Sequence, residues 1–433
     1  MKYFSKDFPL IVLSLAIGLS ARLTVGNLAD GKAIDLRLED FVLLYLGAFW
    51  IFWLLFLRKK PIAKPPLLWP ILAWLCIGLL STLMNLALSN VQLSRSFFYF
   101  LKEIQYFFLF FYVFYHIKSI DSAKSLLKLW VFLGFITAAW VIFQLISGIY
   151  ITYYYGPTSF IEPEGTFPGG GFFLIIFIFL LNVFLYYYVN LPMNLLKRIA
   201  LLIAIASPAI GVLSSGSRSA FFGLVIASLA SFLIYATRIN LLKAVFIFSL
   251  ILLYIFLIFA VSPLPAFQSS SVLNRFSNVE EIKVNLDPEK KLSRPEIWLY
   301  QLKEMSKEPF SFILGFGKAA VLGQRGVGES HSQYMRNFVE TGIFGVIVFA
   351  FLLYSILKTS FKEFLRSKDA LLTAVSIGFF CSTLAMMAVS LFAEGFLVVK
   401  INEVYWFFAA MTFAVISIYS THKNDEKSIA LPK

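Results

Sequence analysis

Long apolar runs dominate this 433-residue chain, in which hydrophobic residues make up 59% and charged residues 14%. A run of roughly 20 apolar residues can cross a bilayer as an α-helix, because a helix satisfies its own backbone polar groups. The sequence therefore predicts an all-α polytopic membrane protein, a single integral membrane domain over residues 1–433 with about twelve spans. The predicted spans are Phe8–Val25, Phe41–Leu57, Leu67–Leu86, Phe97–His116, Leu126–Ile146, Phe172–Val189, Ile199–Ser214, Ala220–Ala236, Leu241–Val261, Gly342–Leu357, Ala370–Leu391 and Val404–Tyr419.

The distribution of Lys and Arg predicts the orientation of these spans. Alternate segments, including both termini, hold 20 of these residues, whereas the opposite short segments hold seven. Basic residues concentrate in cytoplasmic loops, so both termini are predicted to be cytoplasmic. The long segment Ser262–Thr341, between the ninth and tenth spans, is then a periplasmic loop. Its ten Lys and Arg nearly balance its nine Asp and Glu.

The net charge of +13 follows from this topology and does not require a nucleic acid partner. The basic cytoplasmic loops also suit anionic membrane lipids. The irregular segments lie on the outer face, where ATP is absent, so the working face is predicted to be periplasmic. Cys76 and Cys381 both fall within spans, which argues against a structural disulfide.

The periplasmic loop contains sequence signals for amphipathic helices. Ser293 and Glu296 fit a capping box, Trp298 follows on what becomes the apolar face, and Pro309 ends the helix after roughly four turns. Ser330 and Gln333 fit a second box at the start of the helix that leads into the tenth span. Arg294 and His331 are then both predicted to lie in the first turn of a helix, where exposed N–H groups favour anions.

Arg218, Arg294 and His331 are the candidate catalytic residues. Two guanidinium groups match the charge of a diphosphate, and a neutral imidazole can accept a proton from a hydroxyl near neutral pH. Each residue also has a simpler interpretation. Arg218 can bind a lipid phosphate, Arg294 can be a solvated surface charge, and His331 can be structural.

Three weaker signals have structural explanations. The glycine-rich segments Gly315–Gly317 and Gly323–Gly328 contain no Gly-Lys-Ser/Thr and are predicted to be flexible loop. Glu162 and Glu164 have no further ligand at suitable spacing, so no metal site is predicted there. Lys102-Glu103 within the fourth span is interpreted as an internal ion pair or as a helix start placed too early.

Four separated motifs make the chain similar to the O-antigen ligase and polymerase superfamily of bacterial envelope glycosyltransferases. Gly165-Thr166-Phe167 opens the sixth span, and Ser215–Ala220 reads Ser-Gly-Ser-Arg-Ser-Ala. Arg294–Trp298 resembles the Arg-x-x-x-Trp helix of that family. His331–Tyr334, followed by Glu340–Gly345, resembles its His-Asn-x-Tyr and Glu-Thr-Gly-x-x-Gly segments. One departure is Ser332, which stands where the family usually has asparagine.

The resemblance implies a GT-C-like, inverting glycosyltransferase that needs neither a nucleotide sugar nor a metal or other cofactor. The donor would be a glycan on undecaprenyl diphosphate at the periplasmic face of the inner membrane. Arg218 and Arg294 would bind the diphosphate, and His331 would activate the acceptor hydroxyl or help to hold the diphosphate. Trp298, Gln333 and Tyr334 would contribute to substrate binding.

Several functions remain open at the level of sequence. A ligase would transfer the glycan to lipid A–core oligosaccharide, whereas a polymerase would extend the lipid-linked glycan. Transfer to protein is a third choice of acceptor. A transporter or flippase would require charged or broken helices at mid-membrane, and apart from Lys102-Glu103 the spans carry almost none. The ligase is favoured, and the sequence does not indicate an oligomeric state.

Overall fold

A computed structural model describes residues 4–19, 22–27, 33–57, 65–88, 91, 93–147, 166–261, 294–320 and 330–429. Strands β1 (Arg22–Asn27) and β2 (Ala33–Arg37) form a small antiparallel pair. Short π and 3-10 turns cover Trp53–Leu57 and Tyr188–Asn190. In chain order the helices are α1 (Phe4–Leu19), α2 (Leu38–Phe52), α3 (Leu68–Ala87), α4 (Leu93–His116), α5 (Ile120–Ser147), α6 (Thr166–Tyr186), α7 (Leu195–Ser214), α8 (Arg218–Arg238), α9 (Leu241–Val261), α10 (Arg294–Lys307), α11 (Pro309–Leu314), α12 (Gln333–Arg366), α13 (Ala370–Ser390) and α14 (Val399–Ile429).

The polytopic helical fold predicted from the sequence is confirmed. Within the described ranges, eleven helices are long and apolar enough to cross a membrane. The first predicted span differs from the structure. The apolar run predicts a helix to Val25, whereas α1 ends at Leu19 and Arg22–Asn27 forms β1. The segment from Arg22 to Asn27 interposes a charge and a Gly-Asn pair among residues that favour extended structure, which explains why hydropathy alone extended the helix too far.

Three helices, α6, α13 and α14, form the centre of the bundle, since nearly all of their side chains are buried. Most side chains of α2 and α9 are exposed, which places these helices at the periphery. Phe179 of α6 stacks on Phe408 of α14 with ring centroids 4.2 Å apart. A Cβ added at Gly211 of α7 would lie 2.5 Å from the Phe173 ring, so these helices approach closely through small residues. Such packing is the main source of helix association in lipid.

Lys102 and Glu103 of α4 do not pair with each other, so the interpretation as an internal Lys102–Glu103 pair is wrong. Lys102 Nζ lies 2.8 Å from Asp40 at the start of α2. Glu103 Oε1 lies 2.9 Å from Nζ of Lys318, and it also accepts a hydrogen bond from Trp74 of α3. Adjacent residues on a helix point in directions about 100° apart, and the two charges therefore meet different neighbours.

The segment Gly315–Ala319 is buried, which corrects the prediction that Gly315–Gly317 is a flexible loop. Gly315 and Gly317 have φ angles of +74° and +89°, a region in which glycine is preferred. Their backbone groups are bound within the bundle: the Gly315 carbonyl accepts from Asn85, and the Lys318 N–H donates to Thr82. Glycine at these two positions allows the backbone to turn tightly between α3 and α12. The second glycine-rich segment, Gly323–Gly328, lies outside the described residues.

The two predicted amphipathic helix starts have different outcomes. The helix predicted near Arg294 is present as α10, and Pro309 begins the separate short helix α11. Ser293, the predicted N-cap, lies outside the described residues. In the second case the N-cap is Ser332 and not Ser330, so His331 precedes the helix. α12 then kinks at Gly342, which has φ of +64°.

Candidate active site

Arg218 is the first residue of α8 and is exposed. Residues 215–217 separate it from the end of α7, so the predicted tight turn is present. The Ser217 hydroxyl accepts a hydrogen bond from the Ala220 N–H at 3.3 Å and caps the helix. Gly170 of α6 packs against this turn, because a Cβ placed there would lie 2.5 Å from the Ser215 hydroxyl. The small residues thus hold Arg218 at a compact, fixed helix start.

Arg294 is the first described residue of α10 and lies close to Arg218. Its Nη1 donates a hydrogen bond to the carbonyl of Phe392, at 3.0 Å. The Phe392 ring packs edge-on against Phe222, one turn along α8 from Arg218, with centroids 5.6 Å apart. Although the side chain reaches solvent, its partial desolvation by the protein lowers the pKa of Arg294, and the positive charge of Arg218 lowers it further. The structure therefore brings together the two arginines that the motifs identified.

The electrostatics of this pair favour an anion. Each arginine occupies the first turn of a helix, where the macrodipole disfavours a cation by roughly 0.3–1 kcal/mol. Among the described residues, neither guanidinium has a carboxylate within ion-pair distance. Two cations that repel each other at two helix N-termini can be stabilised together by a ligand of two or more negative charges.

His331 is exposed and precedes α12 with a φ angle of +49°, so the prediction that it lies in the first turn of a helix is wrong. Its flanking residues are both buried. The carbonyl of Ser330 accepts a 2.6 Å hydrogen bond from Nε1 of Trp298, and the Ser330 hydroxyl donates to Gln301. Trp298 lies one turn after Arg294, so these bonds fix the backbone at His331 relative to α10. An uncommon backbone conformation is held by its two neighbours.

Gln333 and Tyr334 both form hydrogen bonds with other parts of the chain in this structure. The Gln333 N–H donates to the Ala393 carbonyl at 3.2 Å, and its side-chain oxygen accepts from the Phe396 N–H at 3.0 Å. The Tyr334 hydroxyl donates to the Met387 carbonyl at 3.1 Å. These contacts fix the start of α12. A direct role of either side chain in substrate binding stays a prediction.

The connection of residues 391–398, which joins α13 to α14 and binds both Arg294 and the start of α12, was not predicted from the sequence. It supplies the Phe392 carbonyl to Arg294 and the Ala393 carbonyl to Gln333, while Ser332 donates to Ser390 just before it. Glu394 in this connection forms an ion pair with the buried Arg336 of α12. A carboxylate between the last two spans was the signal in the sequence, but it belongs to no recognised motif.

Among the described residues, no group of three or more His, Cys, Asp or Glu side chains lies close enough together to hold a metal ion. Glu162 and Glu164, the acidic pair noted in the sequence, lie outside the described residues. The charges assembled at this site are cationic.

Comparison with known proteins gives a match to one family. Residues 199–350 match the family model described as O-antigen ligase, and this segment contains Arg218, Arg294 and His331. A search of curated proteins returns no match. The match confirms the superfamily resemblance carried by the motifs and supports a glycosyltransferase-like enzyme of the ligase or polymerase type. Its many apolar helices and this match together indicate a multi-pass bacterial membrane protein, of which residues 199–350 are similar to the O-antigen ligase family.

Proposed function

We propose that this protein transfers a glycan from undecaprenyl diphosphate to lipid A–core oligosaccharide, as an inverting and metal-independent O-antigen ligase. The reaction would occur at the periplasmic face of the inner membrane, with both termini in the cytoplasm. The excess of Lys and Arg in the segments on the termini side supports this orientation. In this orientation the arginines and His331 would lie on the side of the lipid-linked donor.

The observation that carries the proposal is the pairing of Arg218 and Arg294 at two helix N-termini. The leaving diphosphate gains negative charge as the glycosidic bond breaks, so fixed cations stabilise the transition state more than the ground state. The hydrogen bond from Arg294 to the Phe392 carbonyl orients one guanidinium before the donor binds. No reorganisation of that side chain is then needed as the charge develops.

His331 has two possible roles in this reaction. As a base it would take the proton from the acceptor hydroxyl as that oxygen attacks the anomeric carbon. As a ligand it would donate a hydrogen bond to the diphosphate. Its exposure and its fixed backbone conformation suit both. Trp298 would act through its hydrogen bond to Ser330, which holds His331 in place.

The polymerase alternative uses the same donor and differs in the acceptor. The family match supports ligase and polymerase equally. The exposed arginines are compatible with either acceptor.

A reconstituted transfer assay tests the proposal. Purified protein in proteoliposomes receives a labelled glycan on undecaprenyl diphosphate, with and without lipid A–core. We expect the label to move to lipid A–core only when that acceptor is present, and His331→Ala to abolish the transfer. Growth of lipid-linked chains without core would instead identify a polymerase. Absence of transfer in both arms, with folded protein, would overturn the proposal.

A further inference from the structure

Glu394 lies in the 391–398 connection, next to two carbonyl groups that bind the candidate site. The Phe392 carbonyl accepts from Arg294, and the Ala393 carbonyl accepts from the first N–H of α12. The direction of both carbonyls depends on the backbone of this short connection. A contact that fixes Glu394 therefore also fixes two acceptors, the Phe392 carbonyl for Arg294 and the Ala393 carbonyl for the Gln333 N–H.

Arg336 of α12 fixes Glu394. Its Nη1 forms an ion pair with Glu394 Oε2, and its Nη2 lies 2.9 Å from Glu340 Oε1 one turn further along the same helix. Arg336 is 1% exposed and Glu394 is 8% exposed, so the pair is almost fully removed from solvent. A buried guanidinium with two carboxylates has a strongly preferred position, because any displacement leaves a charge without its partner.

The ion pair is anchored away from the site as well. Glu340 accepts a 3.0 Å hydrogen bond from the Ala319 N–H and lies 3.8 Å from Lys318 Nζ. Lys318 in turn pairs with Glu103 of α4. A continuous chain of charges thus runs from α4 through α12 to the connection that carries Phe392.

We propose that Glu394 is a positioning residue for the reaction: held by Arg336, it fixes the Phe392 carbonyl so that the Arg294 guanidinium is oriented before the donor arrives. The proposal deepens the proposed function and rests on it for the role of Arg294. Glu394 does not touch substrate in this scheme. It acts through the backbone of residues 392–394 and hence through Arg294.

Accessibility of Arg294 provides a test that needs no substrate. The full-length protein in detergent is treated with phenylglyoxal, which modifies free guanidinium groups, and the modification of Arg294 is followed by peptide mass spectrometry. In Glu394→Gln we expect Arg294 to react about fivefold faster, as the loss of one hydrogen bond would bring. Glu394→Asp keeps the charge and is expected to give an intermediate rate. Asp40→Asn is the matched control, because Asp40 forms a partly buried ion pair with Lys102 outside the site.

The kinetics of transfer distinguish an effect on the position of Arg294 from a general loss of structure. Glu394→Gln should lower kcat by about tenfold with donor KM changed less than about twofold, because the orientation of Arg294 matters most in the transition state. Adding Glu394→Gln to Arg294→Lys should cause little further loss, since both changes act through one group. Asp40→Asn should leave both constants near the wild-type values.

Two results would overturn the proposal. One is an unchanged labelling rate of Arg294 in both Glu394 variants. The other is a double variant, Glu394→Gln with Arg294→Lys, whose loss of transfer equals the product of the losses in the two single variants. If Glu394→Gln does not fold, the labelling rate in Glu394→Asp decides alone. A wild-type protein that transfers nothing would contradict the proposed function, while the labelling experiment would still decide whether Glu394 positions Arg294.

Discussion

Two groups of charged residues lie side by side in this molecule and differ in how their charge is compensated. The site charges, Arg218 and Arg294, lie at the starts of α8 and α10, and neither arginine has an ion-pair partner within the described chain. The network charges, Glu103, Lys318, Arg336, Glu340 and Glu394, are buried or nearly so and pair with one another. The first group leaves two cationic side chains open to solvent, whereas the charges of the second group are neutralised by their partners.

The difference between the two groups follows from desolvation. A buried charge is tolerated when a partner replaces the lost water, and the removal of one partner is then costly. An exposed cation remains hydrated until a ligand displaces that water, so its attraction is available for binding. Position relative to solvent therefore distinguishes network charges from site charges more clearly than residue type does.

The largest expected effect comes from breaking the network. Arg336→Leu would leave the carboxylate of Glu394 buried without a cation and that of Glu340 with Lys318 alone, and we expect a loss of about 3–5 kcal/mol in stability. The thermal unfolding midpoint of the purified protein, followed by tryptophan fluorescence, measures it. Arg218→Leu, at an exposed position, should change stability by no more than about 0.5 kcal/mol. Equal shifts in the two variants would contradict the distinction between the groups.

A smaller effect, confined to activity, is expected at the site. Arg218→Lys and Arg294→Lys should each lower transfer by about 10²-fold, because an ammonium group cannot reproduce the planar fork of a guanidinium. Their unfolding midpoints should stay close to that of the wild type. Arg238→Lys is the control, since Arg238 ends the same helix α8 and contacts Phe364 away from the site. Wild-type rates in both site variants would remove the diphosphate assignment.

The smallest expected effect is a difference in stability between two His331 variants, which distinguishes the role of the backbone conformation from that of the imidazole. At φ of +49° an alanine is strained relative to glycine by about 1 kcal/mol, so His331→Ala should be less stable than His331→Gly by that amount. Both variants should lose transfer, because both lack the ring. Differential unfolding and the transfer assay together check this. Full transfer by either variant would show that the ring takes no part.

Much of the fold could be predicted from the sequence because helix formation in lipid is a local requirement. The runs that became α5, α9 and α13 could be located from hydropathy alone, since each must satisfy its own backbone groups. Arg218 and Arg294 could also be selected from local sequence, because each stands next to turn or capping residues that are close in sequence.

Other features could not be predicted because they depend on contacts between distant residues. Lys318 and Glu103 are 215 positions apart, and Arg336 and Glu394 are 58 apart. No local pattern indicates such partners, and Gly315–Gly317 consequently looked like flexible loop. The helix start near His331 was misplaced by two residues, since the acceptor for the Gln333 N–H is the carbonyl of Ala393.

The sequence by itself determined the approximate bounds of most of the spanning helices and indicated the residues that are proposed to bind a diphosphate. Local backbone satisfaction and side-chain chemistry are sufficient for both. Only the tertiary structure decided which charges are buried and which stay open to a ligand. That division depends on the packing of α4, α12 and the 391–398 connection, where removal of water makes pairing obligatory for Arg336 while Arg218 and Arg294 remain open to an anion.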